Sequence, residues 1–412
     1  MTELRDILDY DLLLKHLTAG VVRSQIHPLY PSELSVFNYT EVAQYDRIWD
    51  NVTRQCRGLI TAGRPGKEIV LARGFNKFFN LNTDFAPETL EANLPNEIPL
   101  VTEKLDGSMG IIYYWDDKVW VATRGSFMSE QAQWATRWLR DRMAEDVEVD
   151  NNNILHYLTV GDDHTLIAEI IYSSNRIVVD YDYEGLILTG CVDIETAEEV
   201  DREVLEEIGE ACGLLVVKRF TKSLAECAGE NTPNAEGYVL TYPSTGLKVK
   251  VKFEEYVRLH RILTGLNPRA IWEMLVPPSM LVQQPKEKVN PEDGTIAEAR
   301  RATVDSIMND PKMPTTFIEW FGGWVNQLRS QYAGIEARAK DAFSYRRFKG
   351  PWATEPTPEA LRMVRKAHAE DFMKTPELKS ILFAMLDGHE YETIIWKMLK
   401  PRGDAPFKKD GE

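Results

Sequence analysis

Two patterns of apolar spacing divide this chain. Over roughly the first 255 residues, short runs of β-branched and aromatic residues are bounded by turn formers. They predict strands at 58–60, 69–75, 109–114, 119–123, 165–171, 185–190, 237–241 and 247–253. Apolar residues at helical spacing predict helices at 129–143 and 201–212. The stretch Tyr242-Pro-Ser-Thr-Gly246 is a hairpin-type connection. Helices are interspersed with antiparallel pairs and no strict βαβ repeat runs through them, which points to the α+β class. From residue 256 the strand signals stop. Helical spacing then recurs at 268–275, 296–308, 315–341, 358–374, 376–386 and 391–399. Residues 277–294 are a polar, proline-bearing connector, and the tail from 401 is rich in Pro, Gly and charge. The expectation is two domains, an α+β domain at 1–255 and an all-helical domain at 256–412.

With 412 residues, 43% of them hydrophobic, each domain has material for a core. Cys56, Cys191, Cys212 and Cys227 show no C-x-x-C pair, which argues against a structural zinc site and suits a reducing cytoplasm. The first residues carry no apolar stretch behind a basic start, and no run of 18 apolar residues follows, so neither a signal peptide nor a membrane span is expected. The net charge of −16 lowers the expectation of tight, non-specific duplex binding. It is unevenly spread. From Arg258 onward there are 24 Lys+Arg against 21 Asp+Glu, a balance of +3 that leaves −19 for the residues before. A local basic groove can still hold phosphates, and RNA ends are not excluded.

The chemistry concentrates in Glu103-Lys104-Leu105-Asp106-Gly107-Ser108, set between the apolar runs 98–101 and 109–114. A lysine at a strand end, with a glycine turn behind it, becomes a nucleophile if its amine is neutral. Desolvation or nearby cations would depress its pKa from about 10.4. Taken alone, such a segment also fits a surface hairpin. Downstream, Glu236-Gly237 opens a strand. In Leu247-Lys248-Val249-Lys250-Val251-Lys252 three lysines share one strand face. Such a row repels itself unless polyphosphate lies on it, although an edge strand guarded by lysines has the same spacing. Glu169 sits inside an apolar strand and needs a partner: a ribose hydroxyl, a metal, or Arg176. Arg57 before Gly58, and Asn76-Lys77-Phe78-Phe79-Asn80-Leu81, add cations beside a turn and two aromatics. One of those rings could stack on a base.

In this order the residues resemble the covalent nucleotidyltransferase superfamily of ligases and capping enzymes, and within it the phage RNA ligase 1 family. The resemblance is carried by Arg57-Gly58, Lys77 to Leu81, Lys104 to Ser108, Glu169 with Asn175-Arg176-Ile177-Val178, Glu236-Gly237-Tyr238-Val239 and Lys250-Val251-Lys252, with Tyr256-Val257 and Leu259-His260 extending it. Gly125 to Ala132 matches a further segment in which Arg124 replaces the family's lysine. In Phe37-Asn38-Tyr39, Phe37 stands where the family has a tyrosine. The resemblance covers residues 35–270 and fades beyond.

It implies an ATP-dependent RNA ligase working through AMP on Lys104, with Asp106, Gly107, Glu236, Lys250 and Lys252 as catalytic residues. The nucleotide would lie against Phe37, Arg57, Lys77, Phe79, Glu103, Glu169, Lys250 and Lys252. Glu236 and Glu169 would take Mg2+, for which Mn2+ could substitute. The implied layout is an adenylyltransferase domain followed by a helical RNA-specificity domain with no OB-fold. In that second domain, basic and aromatic residues cluster at Tyr345-Arg346-Arg347-Phe348-Lys349 and from Arg362 to Lys366, where RNA contacts or solvated helix faces both fit. The implied partner is RNA, such as a broken tRNA anticodon loop or single-stranded ends, in the cytoplasm of a cell, a phage-infected one if the chain is phage-encoded. No membrane and no obligate protein partner is implied. A DNA ligase, a GTP-using capping enzyme and an inactive RNA-end-binding protein are the alternatives.

Overall fold

A computed structural model describes residues 2–145, 163–280, 303–347, 358–402 and 407. The chain divides into two compact units, Met1–Arg258 and Leu259–Glu412.

The first unit is built on three sheets. The first has strands β1 (Val22–Ile26), β2 (Leu34–Tyr39), β3 (Arg57–Ala62) and β4 (Ile69–Ala72), antiparallel in that order. The second has order β12-β6-β13-β14-β5, with β5 (Phe79–Asn80), β6 (Leu100–Lys104), β12 (Arg219–Phe220), β13 (Gly237–Tyr242) and β14 (Leu247–Lys252). The third has order β11-β10-β9-β7-β8, with β7 (Ser108–Trp115), β8 (Lys118–Thr123), β9 (His164–Ile171), β10 (Gly185–Asp193) and β11 (Leu215–Val216).

Alternation along the strands stacks these parts into layers. Val36, Ile60 and Ala72 of the first sheet pack on Ile111, Tyr113 and Ala122 of the third. The first sheet's other face, with Phe37, Leu59 and Val70, takes Leu4, Leu8 and Leu13 of the N-terminal helices. The third sheet's other face, with Ile112, Val121 and Leu188, takes the helices Glu130–Glu145 and Arg202–Cys212 through Ala135, Leu139, Leu205 and Ile208. The unit is therefore α+β. The predicted strand at 69–75 stops at Ala72, because the chain next runs tight against β3. A Cβ on Gly74 would lie 2.5 Å from the Arg57 carbonyl oxygen.

In the second unit the described elements are helical, and no strand occurs among its described residues: Pro268–Leu275, Val304–Met308, Thr315–Arg347, Pro358–Phe372, Lys379–Leu386 and Glu392–Met398, with a short 3-10 turn at Pro278–Met280. Ile381, Leu382, Ile395, Ala339 and Phe372 form its core. Most of the predicted connector 277–294, the start of the predicted helix 296–308, and Phe348 and Lys349 lie outside the described residues. The helix Glu254–Gly265 runs through the boundary expected at 255. No helix among the described residues is long and apolar enough to cross a membrane.

Candidate active site

Pairing in the second sheet lines up the central charges. Lys104, the last residue of β6, lies opposite Gly237 of β13, and Gly237 lies opposite Lys252 of β14. Gly237 has φ +145, and a Cβ there would fall 2.0 Å from the Val251 carbonyl oxygen, so only glycine admits this register. Glu236, just ahead of it, is 3% exposed. Its Oε1 takes Lys104 Nζ at 2.8 Å and Lys252 Nζ at 2.9 Å. Burial alone would raise the Glu236 carboxyl, but the two lysines outweigh it and hold it down at about 2. For Lys104, burial favours the neutral amine, and the charges of Glu236 and Glu169 more than reverse that, so its pKa is raised. This corrects the sequence expectation that surrounding cations depress it. The sequence did not disclose that two carboxylates stand nearer in effect.

Asp106 feels the charge of that cluster but makes its hydrogen bonds elsewhere. Its carboxylate accepts the backbone N–H of Val178 (2.8 Å) and Val179 (2.9 Å) and the Tyr256 hydroxyl (2.7 Å). It fastens the lysine loop to the segment behind it. Gly107 lies so close to β9 that a Cβ would meet the Ile170 carbonyl oxygen at 2.5 Å. Its N–H donates to Glu169 Oε1 at 3.0 Å. Glu169 thus finds its partner in the lysine loop rather than in Arg176, which pairs with Asp180 at 2.8 Å. Burial pushes the Glu169 carboxyl up to about 7 against the pull of Lys104.

Beyond Lys252 the lysine row of β14 divides. Lys248 is neutralised by Glu199 at 2.7 Å and bonds Thr241 at 3.0 Å. Lys250 forms no ion pair among the described residues and rests over the Phe78 ring at 4.5 Å. Burial, then the charges of Lys77, Arg57, Lys104 and Lys252, drive its pKa well down. Arg57 donates to the Phe75 carbonyl at 3.3 Å and lies 3.0 Å from Met109 Sδ. Its direction depends on Gly58. With φ +83, Gly58 forms a bulge skipped in the pairing with β2, and a Cβ there would strike Ile111 Cδ1 at 2.1 Å.

The extra residue reverses the alternation of β3, so Leu59 pairs with Phe37 on the core face while Arg57, two residues before it, pairs with Asn38. Phe37 stays in the core, 5% exposed, instead of reaching the site as expected. Tyr39 arrives there in its place. Its hydroxyl accepts from Arg124 Nη1 at 3.0 Å and lies 3.5 Å from Lys77 Nζ. Phe79 is likewise buried, packed on Trp49 and Phe85; Phe78 is the ring that faces Lys250. Glu103 alternates with Lys104 along β6 and reaches Lys218 at 4.0 Å. No group of three His, Cys, Asp or Glu side chains that could hold a metal ion occurs among the described residues. Glu236 and Glu169 would meet a divalent ion only together with ligands from the substrate or water.

Trp49 is what the sequence reading missed; Tyr39 and Tyr256 entered it only within the family-like segments, without the partners the structure gives them.

A family model described as RNA ligase matches residues 55–257. A Thermovibrio ammonificans protein provisionally named an RNA ligase is 30% identical over 224 residues, covering 52% of this chain and 55% of its own length. The RNA ligase of Rhodothermus phage RM378 is 24% identical over 302 residues, covering 59% of this chain and 68% of its own. The chain thus spans about half the length of the first of these relatives. Among solved structures, a point mutant of a Naegleria gruberi RNA ligase, with ATP and Mn, superposes over 40% of this chain and 51% of that one, at 18% identity and TM-score 0.32. The stretch matched by the family model begins just before Arg57, ends just after Tyr256 and includes the lysine, arginine and glutamate positions of the cluster; across it, the chain is similar to the RNA ligase family.

Proposed function

We propose that this chain is an ATP-dependent RNA ligase that joins RNA 5′-phosphate and 3′-hydroxyl ends through a Lys104–AMP intermediate. One observation carries the reading. Lys104 stands among Arg57, Lys77 and Lys250, three buried or half-buried cations that no ion pair joins to a carboxylate among the described residues. Gathering such charge costs free energy that only an anionic ligand offsets. A triphosphate fits it.

In the first step the neutral Lys104 amine attacks the α-phosphorus of ATP. A nitrogen–phosphorus bond forms, and pyrophosphate leaves with the electrons of the broken bond. The AMP then passes to an RNA 5′-phosphate, freeing the lysine. The 3′-hydroxyl finally attacks that phosphate and expels AMP. Each step is a phosphoryl transfer, in which positioning and charge stabilisation do the catalysis. Lys250 and Lys252 are suited to the α-phosphate, Arg57 and Lys77 to the outer phosphates. Lys104 rests as an ammonium paired with Glu236, so loss of its proton precedes attack. Glu236 and Glu169 would supply oxygen donors for a magnesium ion, which would neutralise phosphate charge when bound.

In this reading the first unit is the adenylyltransferase domain, and the helical unit selects the RNA, a broken tRNA loop or single-stranded ends, inside the cytoplasm. The test is self-labelling. With magnesium and ATP labelled at the α-phosphate, the protein gains an acid-labile label. GTP labels it poorly, and Lys104→Ala abolishes the label. Label persisting in Lys104→Ala would remove the lysine from its role.

A further inference from the structure

Lys104 and Glu236 form the central ion pair from different strands, yet one short segment holds both of them. Residues 178–181, which lead into β10, grip the lysine loop at Asp106. The Val178 and Val179 amides donate to its carboxylate at 2.8 and 2.9 Å, and its own N–H donates to the Tyr181 hydroxyl at 2.7 Å. Between these contacts Asp180 gives its main chain to Asn234. The Asp180 N–H donates to Asn234 Oδ1 at 2.7 Å, and Asn234 Nδ2 donates to the Asp180 carbonyl at 2.8 Å. One side-chain amide thus pairs with main chain as a neighbouring strand would. Asn234 stands two residues before Glu236, in the loop between the helix Leu224–Gly229 and β13. Its φ of +54 lies in the left-handed region, which asparagine tolerates better than most residues. On the other side the Glu236 carbonyl accepts the Phe253 N–H at 3.0 Å. The buried Glu236 carboxylate meets Lys104 at 2.8 Å and Lys252 at 2.9 Å, so a shift of this loop would trade one lysine for the other.

We propose that Asn234 is a positioning residue: its two hydrogen bonds to the Asp180 main chain tie the loop that carries Glu236 to the segment that grips the lysine loop, and so fix Glu236 against Lys104. The proposal rests on the Lys104–AMP reading given above. Asn234 acts through Glu236 and touches neither lysine. Its loss should therefore slow the covalent step at saturating ATP and leave the ATP requirement nearly unchanged. The Asp180 side chain takes no part in the pairing. It meets Arg176 at 2.8 Å and is mostly exposed.

The test is single-turnover labelling of the full chain with α-labelled ATP and magnesium, over a range of ATP concentrations and well below the melting temperature of every variant. Asn234→Gly keeps the left-handed backbone and loses both hydrogen bonds. Its maximal rate should fall about tenfold, the scale of two neutral hydrogen bonds. The ATP concentration for half the maximal rate should change by less than about twofold. Asp180→Ala keeps the main-chain N–H and carbonyl, so it should label within about twofold of the unmutated chain. On a Glu236→Gln background, Asn234→Gly should cost clearly less than it does alone, because the ion pair it serves is already gone. Should Asn234→Gly fail to fold, Asn234→Asp, which keeps the acceptor for the Asp180 N–H and loses the donor, carries the same comparisons. An unchanged maximal rate, a loss confined to the ATP requirement, an equal loss in Asp180→Ala, or strict additivity with Glu236→Gln would overturn the proposal. Failure of the unmutated chain to label with ATP would instead overturn the ATP reading itself.

Discussion

At Gly107 the space available to a single atom decides where the lysine loop sits. The loop that follows Lys104 is clamped from both sides, by Asp106 on the Val178 and Val179 amides and by Gly107 against β9. A methyl at Gly107 would lie 2.5 Å from the Ile170 carbonyl oxygen and 3.0 Å from Glu169 Cγ. Neither a strand backbone nor a buried carboxylate withdraws easily, so Gly107→Ala must lift the loop. Overpacking of this kind costs about 1–3 kcal/mol of stability. Misplacing a reacting group by about 1 Å can cost on the order of a hundredfold in rate. Gly107→Ala is thus expected to stay folded, with a lowered melting temperature, and to form Lys104–AMP on the order of a hundred times more slowly. Thermal unfolding and single-turnover labelling measure the two effects. A variant with both values unchanged would show that the loop has room the geometry denies it.

One strand, β14, carries two lysines of opposite meaning. Lys250 is repelled by four neighbouring cations, whereas Lys248 is held by Glu199 and Thr241. Replacing Lys250 by alanine removes repulsion, so stability should hold or rise, while adenylylation falls by about 3–4 kcal/mol of barrier, or some 10²–10³-fold, by analogy with the loss of one transition-state donor. Lys248→Ala should do the reverse, with labelling close to normal and stability lowered by up to about 1 kcal/mol as the Glu199 ion pair is lost. The alternation that puts both lysines on one face was legible in the sequence; their different partners were not, since Glu199 lies far off in the chain. Other elements divide the same way. Strands such as β7 and β9 showed as apolar runs between turns. β2 escaped notice because its burial is nearly continuous, β1 because four of its five residues are exposed, and β5, β11 and β12 because each has two residues. The bulge at Gly58 was invisible in the sequence, and it is what puts Arg57 and Leu59, two residues apart on β3, on opposite faces.

On the scale of the whole chain, charge and chemistry part company. The candidate site, from Tyr39 to Tyr256, lies within the unit Met1–Arg258, and residues before Arg258 carry a balance of −19. Residues from Arg258 onward carry +3 and, beyond Leu259-His260, none of the motifs. Their helices have a core of their own, around Ile381, Leu382 and Ile395, with a hydrogen bond from the Trp272 indole N–H to the Trp396 carbonyl at 2.8 Å. RNA is recognised largely through shape and splayed single strands, by basic and aromatic side chains. The helix Pro358–Phe372 exposes Arg362 and Lys366, which fit that use as readily as they fit a solvated helix face. A chain ending at Gly265 keeps every residue of the candidate site and the Tyr256 hydroxyl on Asp106. It is expected to form Lys104–AMP at close to the full-length rate, and to lose its discrimination among RNA substrates. Sealing rates of both chains on a nicked stem-loop and on a single strand of equal length measure this. If the ratio of the two rates is the same with and without the helices, selectivity resides in the first unit, and the helical unit needs another explanation.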